Sequence, residues 1–133
     1  MKIIDILNKK NMSLSFEVFP PKKESSFESV VAATEEIAAC HPAFMSVTYG
    51  AGGGTSKYTM EIAKRIKEKY DVPSLAHLTC VSSSREMVHQ KIEEMKAMGI
   101  KNVMALRGDL TPELEESDSS TWTISMRPSW SVS

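Results

Sequence analysis

The amino-acid sequence predicts an α/β protein whose strands form one parallel sheet. Apolar strand segments alternate with amphipathic helical segments, and the predicted strand centres lie near Ser15, Ser46, Ala76 and Met104. An interval of about thirty residues is typical of a repeated β-α-β unit, and strict alternation favours parallel strands with right-handed crossovers. Two architectures fit: an open doubly wound sheet, or the first half of a β/α barrel, because a complete barrel needs roughly 250 residues and the chain has 133.

The first predicted helix covers residues 2–10, a short amphipathic segment that could cover one end of the core. The first strand follows, within Ser13–Pro21. Its apolar positions, Leu14, Phe16 and Val18, alternate with polar ones, as in a strand with two different faces. Pro20 and Pro21 end the strand because they lack an amide hydrogen. Glu17 is therefore predicted near the carboxyl end of this strand.

The second β-α unit has a helix that begins at Ser25 or Ser26 and ends near Ala39, followed by a strand over residues 44–48. Its predicted inner face consists of Val30, Ala33, Thr34, Ile37 and Ala38. A glycine-rich loop, residues 50–54, then leads to a helix capped by Thr55 or Ser56, with Ile62, Ala63 and Ile66 facing inward.

The last predicted elements repeat this order. Pro73 precedes a strand over residues 74–79, and Ser83 or Ser84 caps a helix that ends at Gly99. Val88, Ile92 and Met95 form the apolar stripe of this helix. A fourth strand over residues 102–106 leads directly into Arg107-Gly108-Asp109.

Composition narrows the class of protein. Hydrophobic residues make up 41% and charged residues 25%, which is ordinary for a globular domain, and the formal net charge of -1 gives no support to nucleic-acid binding. Cys40 and Cys80 form no C-x-x-C pair, so we expect two small buried residues in a reducing compartment and no metal site. With no signal-peptide pattern and no run of about 20 apolar residues, a cytoplasmic protein without a membrane span is expected.

Polar residues lie at the carboxyl end of every predicted strand. They are Glu17 at the end of the first, Thr48 and Tyr49 at the end of the second, His77 and Thr79 at the end of the third, and Arg107 and Asp109 at the end of the fourth. The carboxyl ends of parallel strands meet at one edge of a sheet, where α/β proteins bind ligands. The sequence therefore predicts a ligand site at this edge.

The glycine-rich loop fits no standard nucleotide motif. A G-x-G-x-x-G pattern would need glycine at residue 55, which is Thr55, and no Gly-Lys-Ser/Thr segment is present. The loop could let backbone amides approach a flat or anionic ligand, or it could be a flexible connection.

Four motifs together resemble the methylenetetrahydrofolate reductase family. They are Phe16-Glu17-Val18-Phe19-Pro20-Pro21, Val47-Thr48-Tyr49-Gly50-Ala51-Gly52-Gly53, Ala76-His77-Leu78-Thr79-Cys80 and Leu106-Arg107-Gly108-Asp109. The resemblance implies the first half of a (β/α)8 barrel. It also implies NADH- or NADPH-dependent, FAD-linked reduction of 5,10-methylenetetrahydrofolate to 5-methyltetrahydrofolate, and a homo-oligomer for a full-length member.

The resemblance also implies a role for each site residue. Glu17 matches the general acid that helps open the methylene-bridged ring of the folate, and Asp109 matches a carboxylate beside both flavin and folate. Thr48 matches the residue near the reactive edge of the flavin and the nicotinamide. The other implied flavin contacts are Tyr49, Ala51, His77, Arg107 and Gly108.

The sequence loses its strand and helix periodicity after Pro112. We therefore divide the chain into a partial barrel, residues 1–116, and an irregular tail, residues 117–133, that is expected to be disordered. Nine of the seventeen tail residues are Ser or Thr. Half a barrel leaves open sheet edges, so we expect the isolated chain to be poorly folded, to aggregate or to self-associate, and to be inactive unless complemented.

Two other functions remain open at this stage. One is a different β/α enzyme that binds an anionic ligand over the glycine-rich loop. The other is a non-catalytic interaction module that associates through its open sheet edges.

The tail carries a testable prediction about the gene. Allowed codons for residues 122–133, read two bases later, encode Asp-Tyr-Lys-Tyr-Ala-Thr-Glu-Leu-Val-Arg-Glu, which contains the Tyr-Ala motif that the family has at this point. We therefore predict that a frameshift or a sequencing error produced the tail. Resequencing the gene checks this; an intact frame without those shifted codons would contradict it.

Overall fold

The computed structural model describes residues 2–9, 11–49, 56–80 and 83–107. Within these ranges the strands are β1 (Ser15–Val18), β2 (Phe44–Val47), β3 (Ser74–Thr79) and β4 (Asn102–Leu106). The helices are α1 (Ile3–Leu7), α2 (Phe27–Ala38), α3 (Ser56–Tyr70) and α4 (Arg85–Ala97), with a 3-10 turn at Glu24–Ser26 before α2.

The four strands form one parallel sheet in the order β1-β2-β3-β4. Buried residues of α2, α3 and α4 belong to the same apolar core as one face of this sheet. A doubly wound sheet reverses its strand order and carries helices on both faces, whereas a β/α barrel adds its strands in sequence with the helices outside. The predicted arrangement, the first half of a barrel, is therefore confirmed.

Alternation along the strands gives the sheet two different faces. The helix-covered face carries Val18, Met45, Val47, Ala76 and Leu78, which are all buried in the core. The inward stripe of α3 packs there as predicted, since Ile62, Ala63 and Ile66 are almost fully buried. Met95 of α4 is buried in the same core, with Val88 and Ile92 packed against it.

The predicted inner face of α2 is confirmed in part. Thr34 and Ala38 are buried, and Val30 and Ile37 pack against the core, but Ala33 is exposed. The fully buried stripe also includes two residues that were not predicted, and it consists of Phe27, Val31, Thr34 and Ala38. The spacing of four, three and four residues follows the 3.6-residue helical period more closely than the predicted set does. Thr34 is tolerated inside because its Oγ1 donates a hydrogen bond to the carbonyl oxygen of Val30 at 2.7 Å.

The predicted serine cap is confirmed for α4 but not for α2. Ser84 caps α4 as predicted, since its Oγ accepts a hydrogen bond from the backbone N–H of Met87 at 3.2 Å. Ser26 occupies the N-cap position of α2 but makes no side-chain cap hydrogen bond, because it is the last residue of the 3-10 turn and its own backbone is already helical. Helix α3 begins at Ser56, and Thr55 lies outside the described residues.

Each connection from the end of a helix to the next strand contains a residue whose backbone has a left-handed conformation. His41 (φ 52°), Asp71 (φ 54°) and Gly99 (φ 75°) follow α2, α3 and α4, and the next strand begins three residues later in all three cases. Such a residue stops a helix by turning the chain out of it. Only glycine adopts this conformation without steric cost.

The edge strands are only partly covered in the described structure. Phe16 of β1 is 37% exposed, and three of the five residues of β4, Val103, Met104 and Leu106, have similar exposure. Helix α1 covers the amino end of the sheet as predicted: Ile6 is buried, and the N–H of Ile3 donates to Asn102 Oδ1 at 3.1 Å. In the part of the chain described, no helix is both long and apolar enough to cross a membrane.

The cysteines do not both behave as predicted. Cys80 is partly buried, but Cys40 is exposed just beyond the end of α2. The prediction that both are buried is therefore wrong for Cys40. This residue lies after the end of α2, so the helix does not hold it against the core.

The residues with left-handed backbone conformation give a prediction about stability. Gly99→Ala should lower the free energy of unfolding by about 1–2 kcal/mol, because an L residue is strained at this φ and its Cβ would lie 3.0 Å from Lys67 Nζ. The reciprocal change His41→Gly should raise it by up to about 1 kcal/mol. Urea unfolding followed by circular dichroism measures both; equal stability of Gly99→Ala and the unmodified chain would contradict the account.

Candidate functional site

The face of the sheet turned away from the helices carries Glu17 and His77, two of the polar residues predicted from the strand ends. Glu17 pairs with Ser46 in the β1–β2 register, Ser46 pairs with Leu75 across β2–β3, and His77 lies two positions further along β3. Because side chains in a strand alternate with a period of two, Glu17, Ser46 and His77 all lie on this inner face.

These three residues form a contact group, which we call the inner-face cluster. Ser46 Oγ donates a hydrogen bond to Glu17 Oε1 at 3.3 Å, and His77 Nε2 lies 3.6 Å from the same oxygen. The side chain of Glu17 is 49% exposed, whereas that of His77 is 11% exposed and Ser46 is buried. A carboxyl group open to solvent is thus held against two nearly buried polar side chains.

The imidazole of His77 is only partly satisfied. Its Nε2 is buried and has no hydrogen-bond partner among the described residues. The 3.6 Å separation from Glu17 is an electrostatic contact, longer than a hydrogen bond. A buried polar atom without a partner carries a desolvation cost, so a hydrogen-bonding group of a ligand would be stabilised at this position.

Thr48 lies at the end of β2, where its backbone is held from two sides. Its N–H donates to the carbonyl oxygen of Val18 at 3.0 Å, and its own carbonyl oxygen accepts from Thr59 Oγ1 of α3 at 2.8 Å. Thr48 continues the alternation that places Ser46 on the inner face. Thr48 therefore lies directly after the strand that carries Ser46, on a backbone that is held at both its N–H and its carbonyl oxygen.

The side chain of Tyr49 lies on the opposite, helix-covered face of the sheet. It is buried in the core on the helix side of the sheet, its hydroxyl accepts a hydrogen bond from Lys91 Nζ of α4, and that ammonium lies 5.1 Å from the ring centroid. Its side chain is not brought to the inner-face cluster, so any contact of this residue with a ligand at the cluster would involve its backbone.

The structure describes only some of the remaining predicted site residues. Arg107 follows β4 at the same edge of the sheet and is exposed. Ala51, Gly108 and Asp109 lie outside the described residues, so their predicted roles stay predictions. Thr79 is buried at the end of β3.

Sequence reasoning missed Ser46. A serine in the middle of an apolar strand has no motif of its own, and only the pairing of β1 with β2 identifies it. The available signal was the interval of twenty-nine residues between Glu17 and Ser46, close to one β-α repeat.

A groove of about 950 Å³ lies at the opposite, amino end of the sheet. Residues just before each strand line it, among them Leu14, Pro42, Pro73 and Lys101. In β/α barrels this end serves stability, whereas ligands bind at the carboxyl ends of the strands. We therefore assign the candidate site to the inner-face cluster and not to this groove.

Comparison with known proteins gives one family. The sequence profile of methylenetetrahydrofolate reductase matches residues 2–126. Three relatives illustrate the match: "Methylenetetrahydrofolate reductase (NADH) 1" of Zea mays, 39% identical over 108 residues, and "5,10-methylenetetrahydrofolate reductase" of Pectobacterium carotovorum and of Escherichia coli, 37% and 33% identical over 102 and 101 residues.

The matched region covers most of this chain but a small part of each relative. It spans 81%, 77% and 76% of the chain for the maize, Pectobacterium and Escherichia coli proteins, and 18%, 34% and 34% of those proteins. The chain thus spans about a fifth to a third of the length of these relatives. All four motifs lie within the residues that match the family profile.

The two cysteines give a prediction about reactivity beside the site. Burial raises the pKa of the Cys80 thiol, with an opposing effect from the nearby Lys91 ammonium. The thiolate is the reactive form, so iodoacetamide at pH 8 should alkylate exposed Cys40 several-fold faster than Cys80. Mass spectrometry of tryptic peptides measures both rates. The difference should vanish in 8 M urea, and equal rates in the folded chain would contradict the described burial.

Proposed function

Because the chain belongs to the methylenetetrahydrofolate reductase family, we propose that its inner sheet face forms part of a site for reducing 5,10-methylenetetrahydrofolate to 5-methyltetrahydrofolate. The observation that carries this proposal is the inner-face cluster. It combines a half-exposed carboxyl group, Glu17, with the buried and unpartnered Nε2 of His77 at the carboxyl ends of parallel strands. A proton donor next to an unsatisfied polar atom suits a site that binds a ligand and protonates it.

FAD is the cofactor of this proposal, and when bound it would carry a hydride from a nicotinamide to the folate. The residues present fit such a group, because the buried Nε2 of His77 needs a hydrogen-bonding partner that no described residue supplies. His77, Thr48 and exposed Arg107 would hold the flavin. The maize relative is named for NADH, which supports NADH as the hydride donor.

Glu17 acts as the general acid in this proposal. A carbon–nitrogen bond of the methylene bridge breaks, its electron pair stays on the leaving nitrogen, and that nitrogen takes the proton of the Glu17 carboxyl group. The methylene carbon remains bonded to the other nitrogen as a cationic iminium, and Glu17 becomes a carboxylate. A negative charge close to this cation stabilises it.

Asp109 is proposed as the second carboxylate, beside both flavin and folate. Support for this role comes from the Arg107-Gly108-Asp109 motif directly after β4. Arg107 already lies at the same edge of the sheet as Glu17.

The proposal predicts that Glu17→Gln separates flavin binding from folate reduction. The purified chain should bind added FAD, seen as quenched flavin fluorescence and a shifted visible spectrum, and Glu17→Gln should bind it equally well. Turnover of NADH and methylenetetrahydrofolate is assayed with the carboxyl-terminal part of the Escherichia coli relative added, because we expect the chain alone to be inactive. There Glu17→Gln should lower the rate by roughly 10²-fold or more.

Glu68→Gln on α3 is the matched control, since Glu68 is exposed and lies outside the cluster. It should leave both flavin binding and turnover unchanged. Failure to bind FAD together with binding of a sugar phosphate would favour a different β/α enzyme. Unchanged turnover in Glu17→Gln would contradict the role of Glu17 as the acid.

A further inference from the structure

We propose that Ser46 is a positioning residue for Glu17: its hydroxyl holds Oε1, so that Oε2 is the oxygen that carries and delivers the proton. This inference rests on the proposed function of Glu17 as the acid. To that proposed function it adds two details: which residue orients the acid, and which of its two carboxyl oxygen atoms reacts.

Glu17 needs such a partner because little else restrains it. Its side chain is half exposed on an edge strand, and a long side chain in solvent samples several rotamers. Proton transfer requires the acid to lie within hydrogen-bond reach of the atom it protonates. A group that selects one rotamer therefore contributes to the rate without touching the substrate.

Ser46 is placed to make that selection. It lies directly opposite Glu17 in the β1–β2 register and is 8% exposed, so its own position is fixed by the sheet. A serine hydroxyl has one hydrogen to donate, and Ser46 Oγ directs it to Glu17 Oε1 at 3.3 Å. Hydrogen bonds at catalytic groups are often long before a ligand binds and shorten afterwards.

The two carboxyl oxygens of Glu17 have different surroundings. Ser46 Oγ and His77 Nε2 both approach Oε1, at 3.3 and 3.6 Å, while no residue among those described forms a hydrogen bond or ion pair with Oε2. Since Oε1 accepts the hydrogen of Ser46, the acid proton belongs on Oε2. When the Oε2–H bond breaks, its electron pair stays on the carboxylate, and the hydrogen bond from Ser46 becomes charge-assisted and stronger.

Proton NMR of the full chain labelled with 13C-glutamate tests this orientation without flavin or substrate. The γ-methylene signal of Glu17 is assigned by its loss in Glu17→Gln. A single rotamer gives two resolved γ-proton shifts, so we expect two in the unmodified chain and in Ser46→Thr, which keeps the hydroxyl. In Ser46→Ala the two shifts should collapse toward one.

Ser74→Ala is the matched control. Ser74 is also a buried strand serine, its Oγ has no hydrogen-bond partner among the described residues, and it lies on the helix-covered face. It should leave the Glu17 signals unchanged. Two resolved shifts in Ser46→Ala would overturn the proposal. If circular dichroism shows that Ser46→Ala is unfolded, Ser46→Cys keeps the volume with a weak donor and must show the same collapse, and resolved shifts there overturn the proposal.

Kinetics in the complemented assay give a second readout. Ser46→Ala should lower kcat roughly tenfold with KM unchanged, and Ser46→Thr should restore most of the loss. An unchanged kcat in Ser46→Ala overturns the positioning role. The two proposals fail separately: unchanged turnover in Glu17→Gln rejects Glu17 as the acid, whereas the NMR comparison decides whether Ser46 orients its carboxyl group.

Discussion

The candidate site depends on the in-phase register of β1, β2 and β3. Glu17, Ser46 and Leu75 are paired neighbours in adjacent strands, and this pairing turns the polar positions to the inner face. A slip of one residue in β1 would turn every side chain of that strand to the other face. The Glu17 carboxyl group would then enter the core in place of Val18, at the high cost of burying an unpaired charge.

Two features of the fold hold this register. The apolar positions Val18, Met45, Val47, Ala76 and Leu78 are buried against the helices, so each strand has one face that must stay covered. Residues with a left-handed backbone conformation follow α2, α3 and α4. Each lies three residues before the strand that comes next, β2, β3 or β4. Burial fixes which face points inward, and the crossovers fix where each strand starts.

Much of this could be predicted from the sequence, because alternation and the thirty-residue repeat are local signals. The repeat located the four strands, and the strand ends identified Glu17, Thr48 and His77. The orientation of Tyr49 could also have been predicted, since Met45, Val47 and Tyr49 are alternate residues along the chain and so face the helices together. The role of Ser46 could not be predicted, because it arises from the pairing of β2 with β1. The exposure of Cys40 and Phe16 likewise depends on which elements cover them, which no local pattern encodes.

The most direct test of this account is a set of nuclear Overhauser contacts of the Glu17 γ-protons in the folded chain. In the folded chain we expect contacts from these protons to the β-protons of Ser46 and to the imidazole Hε1 of His77, which only a shared inner face allows. Contacts from the same protons to the methyl groups of Val47 or Val31 would place the carboxyl group on the helix side of the sheet. That result would contradict the register on which the proposed site rests.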